Sequence, residues 1–275
     1  MDEALSRQEI VRVSISTNGL ELLRQPDLLR KLCERNVVIS LQFDGFDDRT
    51  YEVLGVNDGQ FPRILEYFFS QPHVVSIMIQ PICFAGRGAN LVGQVGRLTI
   101  PDVIKLLDGA GDLRVRASNF VPLPCSHPLC FCLAYYLVLD GSETVSLNRL
   151  VDASRMMDSL ANRTIFGLDS EEHDNLKDMI YEMWSGPAGS APDSEKVMKT
   201  LRTILDEISG SRFEPRKAFT VAERHIKSIF IHAFQDVETF DLSRVRRCCQ
   251  AYPQPDGKLI PVCVRNVLGR KRRRS

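Results

Sequence analysis

"PDLLRKLCERNVVISLQF", residues 26 to 43, holds the pattern that decides the fold. Proline opens the first ten residues, where its missing N–H costs a helix nothing, and Leu28, Leu29 and Leu32 follow at helical spacing. The apolar run Val37 to Phe43 comes almost at once and reads as a strand. A helix tied so tightly to a strand is half of a strand-helix-strand unit.

The units repeat on either side. Upstream, "VRVSIST" (11 to 17) reads as a strand ending in an Asn18-Gly19 turn. Downstream, "FPRILEYFFSQ" (61 to 71) is helical, "VVSIMIQPI" (74 to 82) is a strand, "TIPDVIKLLDGAG" (99 to 111) is a helix with a glycine stop, and "ASNFVPLP" (117 to 124) is a fourth strand. Four strands alternating with helices imply a parallel sheet covered on both faces, an α/β fold. Such sheets collect ligands at the C-terminal ends of their strands. There the chain places "STNG" (16 to 19), "QFDGFDD" (42 to 48), "QPICFAGRG" (80 to 88) and "PLPCSHPLC" (122 to 130). Each is ordinary turn chemistry alone, but four along one edge describe a ligand-facing rim.

The second half differs. Segments 146 to 163, 169 to 184 and 193 to 209 have helical periodicity with serine or acidic starts, and "SGPAGSAP" (185 to 192) is a flexible link. The chain then turns apolar in "IKSIFIHAF" (226 to 234), and polar and cysteine-bearing from 240 to 266.

Composition sets the compartment and excludes some partners. With 44% hydrophobic and 25% charged residues, the 275-residue chain is of ordinary soluble type. It has no run of 18 apolar residues and no signal-like start, so neither a membrane span nor export is expected, and a reducing cytoplasm is. In that compartment clustered cysteines bind metal more often than they form bridges. The formal charge is zero, but "RKRRR" (270 to 274) is a solvated basic tail that leaves the remainder acidic. No basic face interleaved with aromatics extends inward, so no nucleic-acid partner is expected.

Eight cysteines are present. Cys33 lies on an apolar helix face, and Cys83 follows the third strand. The others form two groups, Cys125, Cys130 and Cys132 after the fourth strand and Cys248, Cys249 and Cys263 near the end. Between the latter, "AYPQPDGKLIP" carries a Pro-Asp-Gly turn that can fold as a hairpin and bring its ends together. Such a knuckle could present thiolates to a metal held from the other side by the first group. Spacing does not choose between zinc and an iron-sulfur cluster. One of the adjacent pair Cys248 and Cys249 is expected to bind and the other to pack. His127 is either a turn residue or a ligand.

The segments "ISTNGL", "VVISLQFDGFDDRTYEVLG", "IQPICFAGRG", "LTIPDVI", "FVPLPCSHPLCFCLAYYL" and "FDLSRVRRCCQAYPQPDGKLIPVCVRN" resemble the radical S-adenosylmethionine (SAM) proteins of the tetraether lipid synthase and archaeal pterin methylase type. The resemblance runs from about residue 11 to 267 and is least distinctive in the middle helices. It implies a truncated partial (βα)6 barrel over residues 1–145, a helical appendage over 146–235, a cysteine knuckle over 236–268 and a disordered tail over 269–275. Asn18 and Gly19 would line the SAM pocket, and Gln42 and Asp44 would face SAM or substrate. Cys125, Cys130, one of Cys248 and Cys249, and Cys263 would hold an auxiliary four-iron four-sulfur cluster. Family members carry a CxxxCxxC loop for the SAM-cleaving cluster, and these 275 residues contain no such triplet. The chain is therefore expected to be the C-terminal portion of an enzyme that forms carbon-carbon bonds on, or methylates, a lipid or pterin. It would be inactive without a separate chain bearing the missing half. The alternative is a non-catalytic metal-binding or electron-transfer protein.

Overall fold

The helix-strand pairing of residues 26 to 43 sets the first edge of an open sheet. The computed structural model describes residues 12–43, 61–139, 143–151, 193–208 and 215–269, with residues 3, 6, 7, 10 and 154. Strand β1 (Ser14–Thr17) is followed by helices α1 (Leu20–Arg24) and α2 (Pro26–Glu34), with Pro26 in the first turn of α2. Strand β2 (Val38–Phe43), helix α3 (Phe61–Ser70), strand β3 (Val74–Ile79) and helix α4 (Ile100–Asp108) continue the alternation. The start of α4 is fixed by a capping box. The Thr99 hydroxyl accepts the Asp102 N–H, and the Asp102 carboxylate accepts the Thr99 N–H.

After β3 the chain departs from the expected order. The fourth parallel position, beside β3, belongs to β7 (Ile226–His232) and not to residues 117 to 124. The latter shrink to a two-residue strand β4 (Val121–Pro122), antiparallel to β5 (Phe131–Val138). Pro122 and Pro124 explain this, because a residue without an N–H cannot sustain a ladder in a sheet interior and is tolerated at an edge. Strand β5 is antiparallel to β7 and carries the short β6 (Thr144–Ser146) on its far part. The sheet order is β1-β2-β3-β7-β5-β4, a mixed α/β arrangement whose first four positions are parallel. Among the described residues no closed barrel forms, and β1 and β4 lie at open ends.

Two apolar cores sit on the sheet. One packs Ile39, Leu41, Ile77, Ile79, Ile229 and Ile231 against Leu32, Leu65, Phe68, Phe69, Val103 and Leu107 from α2, α3 and α4. The other gathers Phe131, Leu133, Tyr135 and Phe230 with Val197, Leu201 and Ile204 of α5 (Ser194–Ile208) and Val221 and Ala222 of α6 (Pro215–His225). Helix α5 matches the expectation for 193 to 209. The helices expected across 146 to 163 and 169 to 184, the link at 185 to 192 and the basic tail lie outside the described residues apart from 146–151, 154 and 269. Residues 226 to 232, expected within the helical part, are thus a central strand. Among the described residues no helix is long and apolar enough to cross a membrane.

Candidate functional site

Side chains alternate between the two faces of a strand, and in the parallel strands the faces are chemically opposite. The isoleucine face joins the core under α2, α3 and α4. The other face carries a row of serines in register: Ser16 lies beside Ser40, Ser40 beside Ser76, and Ser76 beside Ser228. The Ser76 hydroxyl donates to the Ser40 hydroxyl at 2.8 Å. A buried hydroxyl contributes little to packing and costs about 1–3 kcal/mol when it lacks a partner. The row runs from the exposed Ser16 through the half-buried Ser40 to the buried Ser76 and Ser228, and it keeps this face polar. Over them lies a cavity of about 310 Å³, completed by Met78, Phe131, Tyr135 and Phe230 and by the ion pair of Arg12 with Glu223. Burial pushes the Glu223 carboxyl up, and Arg12 opposes the rise. The volume reaches the range of small-molecule sites.

The expected rim lies at the C-terminal ends of these strands. Gln42 Nε2 donates to Gln80 Oε1 at 3.0 Å, and the Ser16 hydroxyl reaches Gln42 Oε1 at 3.4 Å, so β1, β2 and the end of β3 share one polar chain. Asn18 is exposed beside it. Gly19 has φ 79°, its N–H donates to Thr17 Oγ1 at 3.1 Å, and a Cβ there would meet Leu41 Cδ2 at 3.2 Å. Conformation and space both favour glycine at this turn. Asp44, the remaining rim candidate, lies outside the described residues.

The cysteines meet beyond the end of β7. Strands β8 (Ala251–Pro253) and β9 (Leu259–Pro261) form the expected hairpin, with Gly257 at φ 80° in its turn and Ala251 opposite Pro261. Val262 N–H closes the base onto the Gln250 carbonyl at 3.1 Å. Cys248 and Cys249 precede the hairpin, and Cys263 follows it at the start of helix α8 (Val262–Val267), numbered after α7 (Leu242–Arg246). Cys130, Cys248, Cys249 and Cys263 line one small cavity of about 10 Å³, room for about one water. Cys125 is an electrostatic neighbour of Cys249, and Cys83 of Cys263. Cys132 does not join them: its thiol donates to the Val121 carbonyl at 3.1 Å. His127 Nδ1 accepts the Leu129 N–H at 3.2 Å, which is the turn role.

The donor set is soft and sulfur-rich, with no carboxylate among the cavity-lining residues, and so suits a thiophilic metal or an iron-sulfur cluster. As the side chains stand, no three His, Cys, Asp or Glu residues among those described form a metal-holding group. Several thiols are engaged with the protein instead. Cys130 Sγ accepts from Arg244 Nε at 3.2 Å, Cys263 Sγ accepts the Gln235 N–H at 3.3 Å, and the Cys248 thiol donates to the Gln250 carbonyl at 2.9 Å. Ligation of a metal here would require these sulfurs to turn from those partners. Burial pushes the Cys249 and Cys263 thiols up, and that of Cys83 up to about 12, so a cation is needed to hold the thiolate forms.

Two residues of this corner escaped the sequence reading. Arg244, 8% exposed, also donates to the Leu129 and Ala233 carbonyls at 3.1 and 3.0 Å and pins the "PLCFC" turn to β7. His232, the last residue of β7, lines the cysteine cavity; burial first and then Arg244 lower its pKa to about 4, which keeps the imidazole neutral. The serine row escaped too, although its signal stands in the sequence as serine-isoleucine pairs repeated in "VSIST", "VSIMI" and "KSIFI". Gln250 lines both cavities, and Phe131 of the serine pocket lies 4.9 Å from the His232 ring, so the two sites adjoin.

No family model matches the chain. Among curated proteins it is similar to a 7,8-dihydro-6-hydroxymethylpterin dimethyltransferase of Methanocaldococcus jannaschii, with 26% identity over 318 residues. The match takes in 95% of this chain and 62% of the relative, so the chain spans somewhat less than two thirds of the length of the curated relative it resembles.

Proposed function

We propose that this chain is the substrate-binding and auxiliary-cluster portion of a radical SAM methyltransferase acting on a pterin-type heterocycle. The observation that carries the proposal is the cysteine cavity at the end of β7 adjoining a serine-lined pocket on the same sheet. Similarity to a pterin dimethyltransferase along 95% of the chain supports the reaction class. The pocket favours a pterin over a lipid: a flat heterocycle offers donors and acceptors to Ser40, Ser76 and Ser228 and a face to Phe131 or Phe230. A hydrocarbon chain would leave the remaining hydrogen-bonding capacity of those hydroxyls unused.

In this reading the sheet is part of a (βα)6 barrel. Asn18, Gly19, Gln42 and Asp44 bind SAM at the rim, and Cys125, Cys130, Cys248 or Cys249, and Cys263 are the ligand candidates for an auxiliary four-iron four-sulfur cluster. Bound there, the cluster supplies one-electron chemistry next to the substrate. The protein's own part is positional. The serine row orients the heterocycle, the Arg12–Glu223 pair closes the pocket, and Arg244 holds the Cys130 turn against β7.

Equilibrium binding of 7,8-dihydro-6-hydroxymethylpterin and of an isoprenoid lipid to the full chain tests the substrate reading. Pterin binding weakened about tenfold or more by Ser76→Val, with no lipid binding, supports it. Lipid binding, or pterin binding indifferent to Ser76→Val, overturns it.

A further inference from the structure

His232 is hard to account for as packing. Only 6% of its surface is exposed, its ring lies 4.9 Å from Phe131 and 4.1 Å from Phe234, and it lines the cavity of Cys130, Cys248, Cys249 and Cys263. A phenylalanine or leucine would fill that setting at no polar cost. The imidazole instead buries Nδ1 without a hydrogen-bond partner, and an unsatisfied buried polar group is expensive. Such a nitrogen beside a group of thiols is a vacant donor.

We propose that His232 Nδ1 is a ligand, together with Cys130, Cys248 and Cys263, of the metal group in this corner. The assignment rests on the proposal that the corner holds a metal and goes beyond the all-cysteine set. It gives the adjacent pair separate tasks. Both line the cavity, but Cys248 is the half-buried member and takes the ligand role, while Cys249, the exposed member, interacts with Ser126 and Cys125. Charge favours it as well. Three thiolates and a neutral imidazole carry one negative charge fewer into a buried site than four thiolates, and the Arg244 guanidinium at Cys130 offsets part of the remainder. Imidazole ligation also raises the potential of an iron-sulfur centre relative to thiolate ligation.

The test uses the full chain reconstituted anaerobically with iron and sulfide. Pulsed electron paramagnetic resonance of the reduced protein, grown with 14N- or 15N-histidine, should show a nitrogen coupling of directly bound imidazole that changes with the isotope. His232→Cys should keep the iron, lose that coupling and lower the reduction potential. Because the wild-type spectrum is decisive by itself, a variant that fails to fold does not block the answer. A wild-type cluster without histidine coupling overturns the ligand assignment and leaves the cluster reading intact. If the corner takes zinc instead, the cluster reading falls, and the same isotope test on the cobalt(II)-substituted chain supports or overturns His232. Folded wild-type chain that takes up no metal overturns both.

Discussion

The same parallel strands present two faces that obey opposite rules. On one, Ile39, Ile77, Ile79, Ile229 and Ile231 are fully buried against α2, α3 and α4. On the other, Ser16, Ser40, Ser76 and Ser228 stand in one register beneath a cavity, and the strand ends lead to a corner of clustered thiols. A chain under pressure for stability alone would fill the second face as it fills the first. The contrast teaches that the isoleucine face is the scaffold and that the serine face and cysteine corner are the parts of the sheet left free of that packing.

The largest effect should come from breaking the scaffold. Phe68→Ala, at a ring with no exposure, should cost about 3–5 kcal/mol in urea unfolding. Next comes the loop that braces the corner. Burial pulls the Asp236 carboxyl up, but hydrogen bonds from Arg97 at 2.6 Å, from the Thr239 hydroxyl at 3.0 Å and from the Phe84 N–H at 3.2 Å overrule it, leaving it below the usual carboxylate range. Its folded form binds protons less readily than its unfolded form. Its contribution is therefore complete above the ordinary value of 3.8 and is lost as pH falls through the lower folded value. Asp236→Asn should cost about 1.5–3 kcal/mol at neutral pH and flatten the acid limb of a stability-pH curve below that point.

Arg244→Leu sharpens the comparison further. It strips donors from the Leu129 and Ala233 carbonyls and from Cys130, and should cost about 1–3 kcal/mol while lowering the iron retained after reconstitution. The smallest stability effect belongs to the serine face. Ser76→Ala removes one hydroxyl contact to Ser40 and should shift stability by under about 1 kcal/mol, yet weaken pterin binding several-fold in equilibrium dialysis. A large stability loss at Ser76 with unchanged binding would make the serines structural and dissolve the contrast.

How much of this was legible depended on how local each signal was. Helices α2, α3 and α4 and strands β1 to β3 could be read from periodicity, Pro26 and the turn at Asn18-Gly19, because each signal sits within a few residues of its consequence. The hairpin around Gly257 was legible for the same reason. Strand β7 was not: residues 226 to 232 are apolar throughout, and only pairing with β3 and β5, each about a hundred residues or more away in sequence, makes them a central strand. Residues 117 to 124 misled because their apolar content suggested an interior strand that two prolines disallow. At the candidate site, two cysteine groups were visible as groups, whereas Arg244 and His232 were silent. An arginine in "LSRVRR" or a histidine in "FIHAF" acquires its meaning from Cys130 and Phe131, more than 100 residues earlier in the chain.

The most direct test of the contrast is the iron and acid-labile sulfide content of anaerobically reconstituted wild-type chain and of Cys263→Ser, with urea unfolding of both apo forms alongside. About four iron and four sulfide per wild-type chain, lost in Cys263→Ser while the unfolding midpoints coincide, is the predicted result. Zinc alone, or no metal at all in folded wild-type protein, would contradict it.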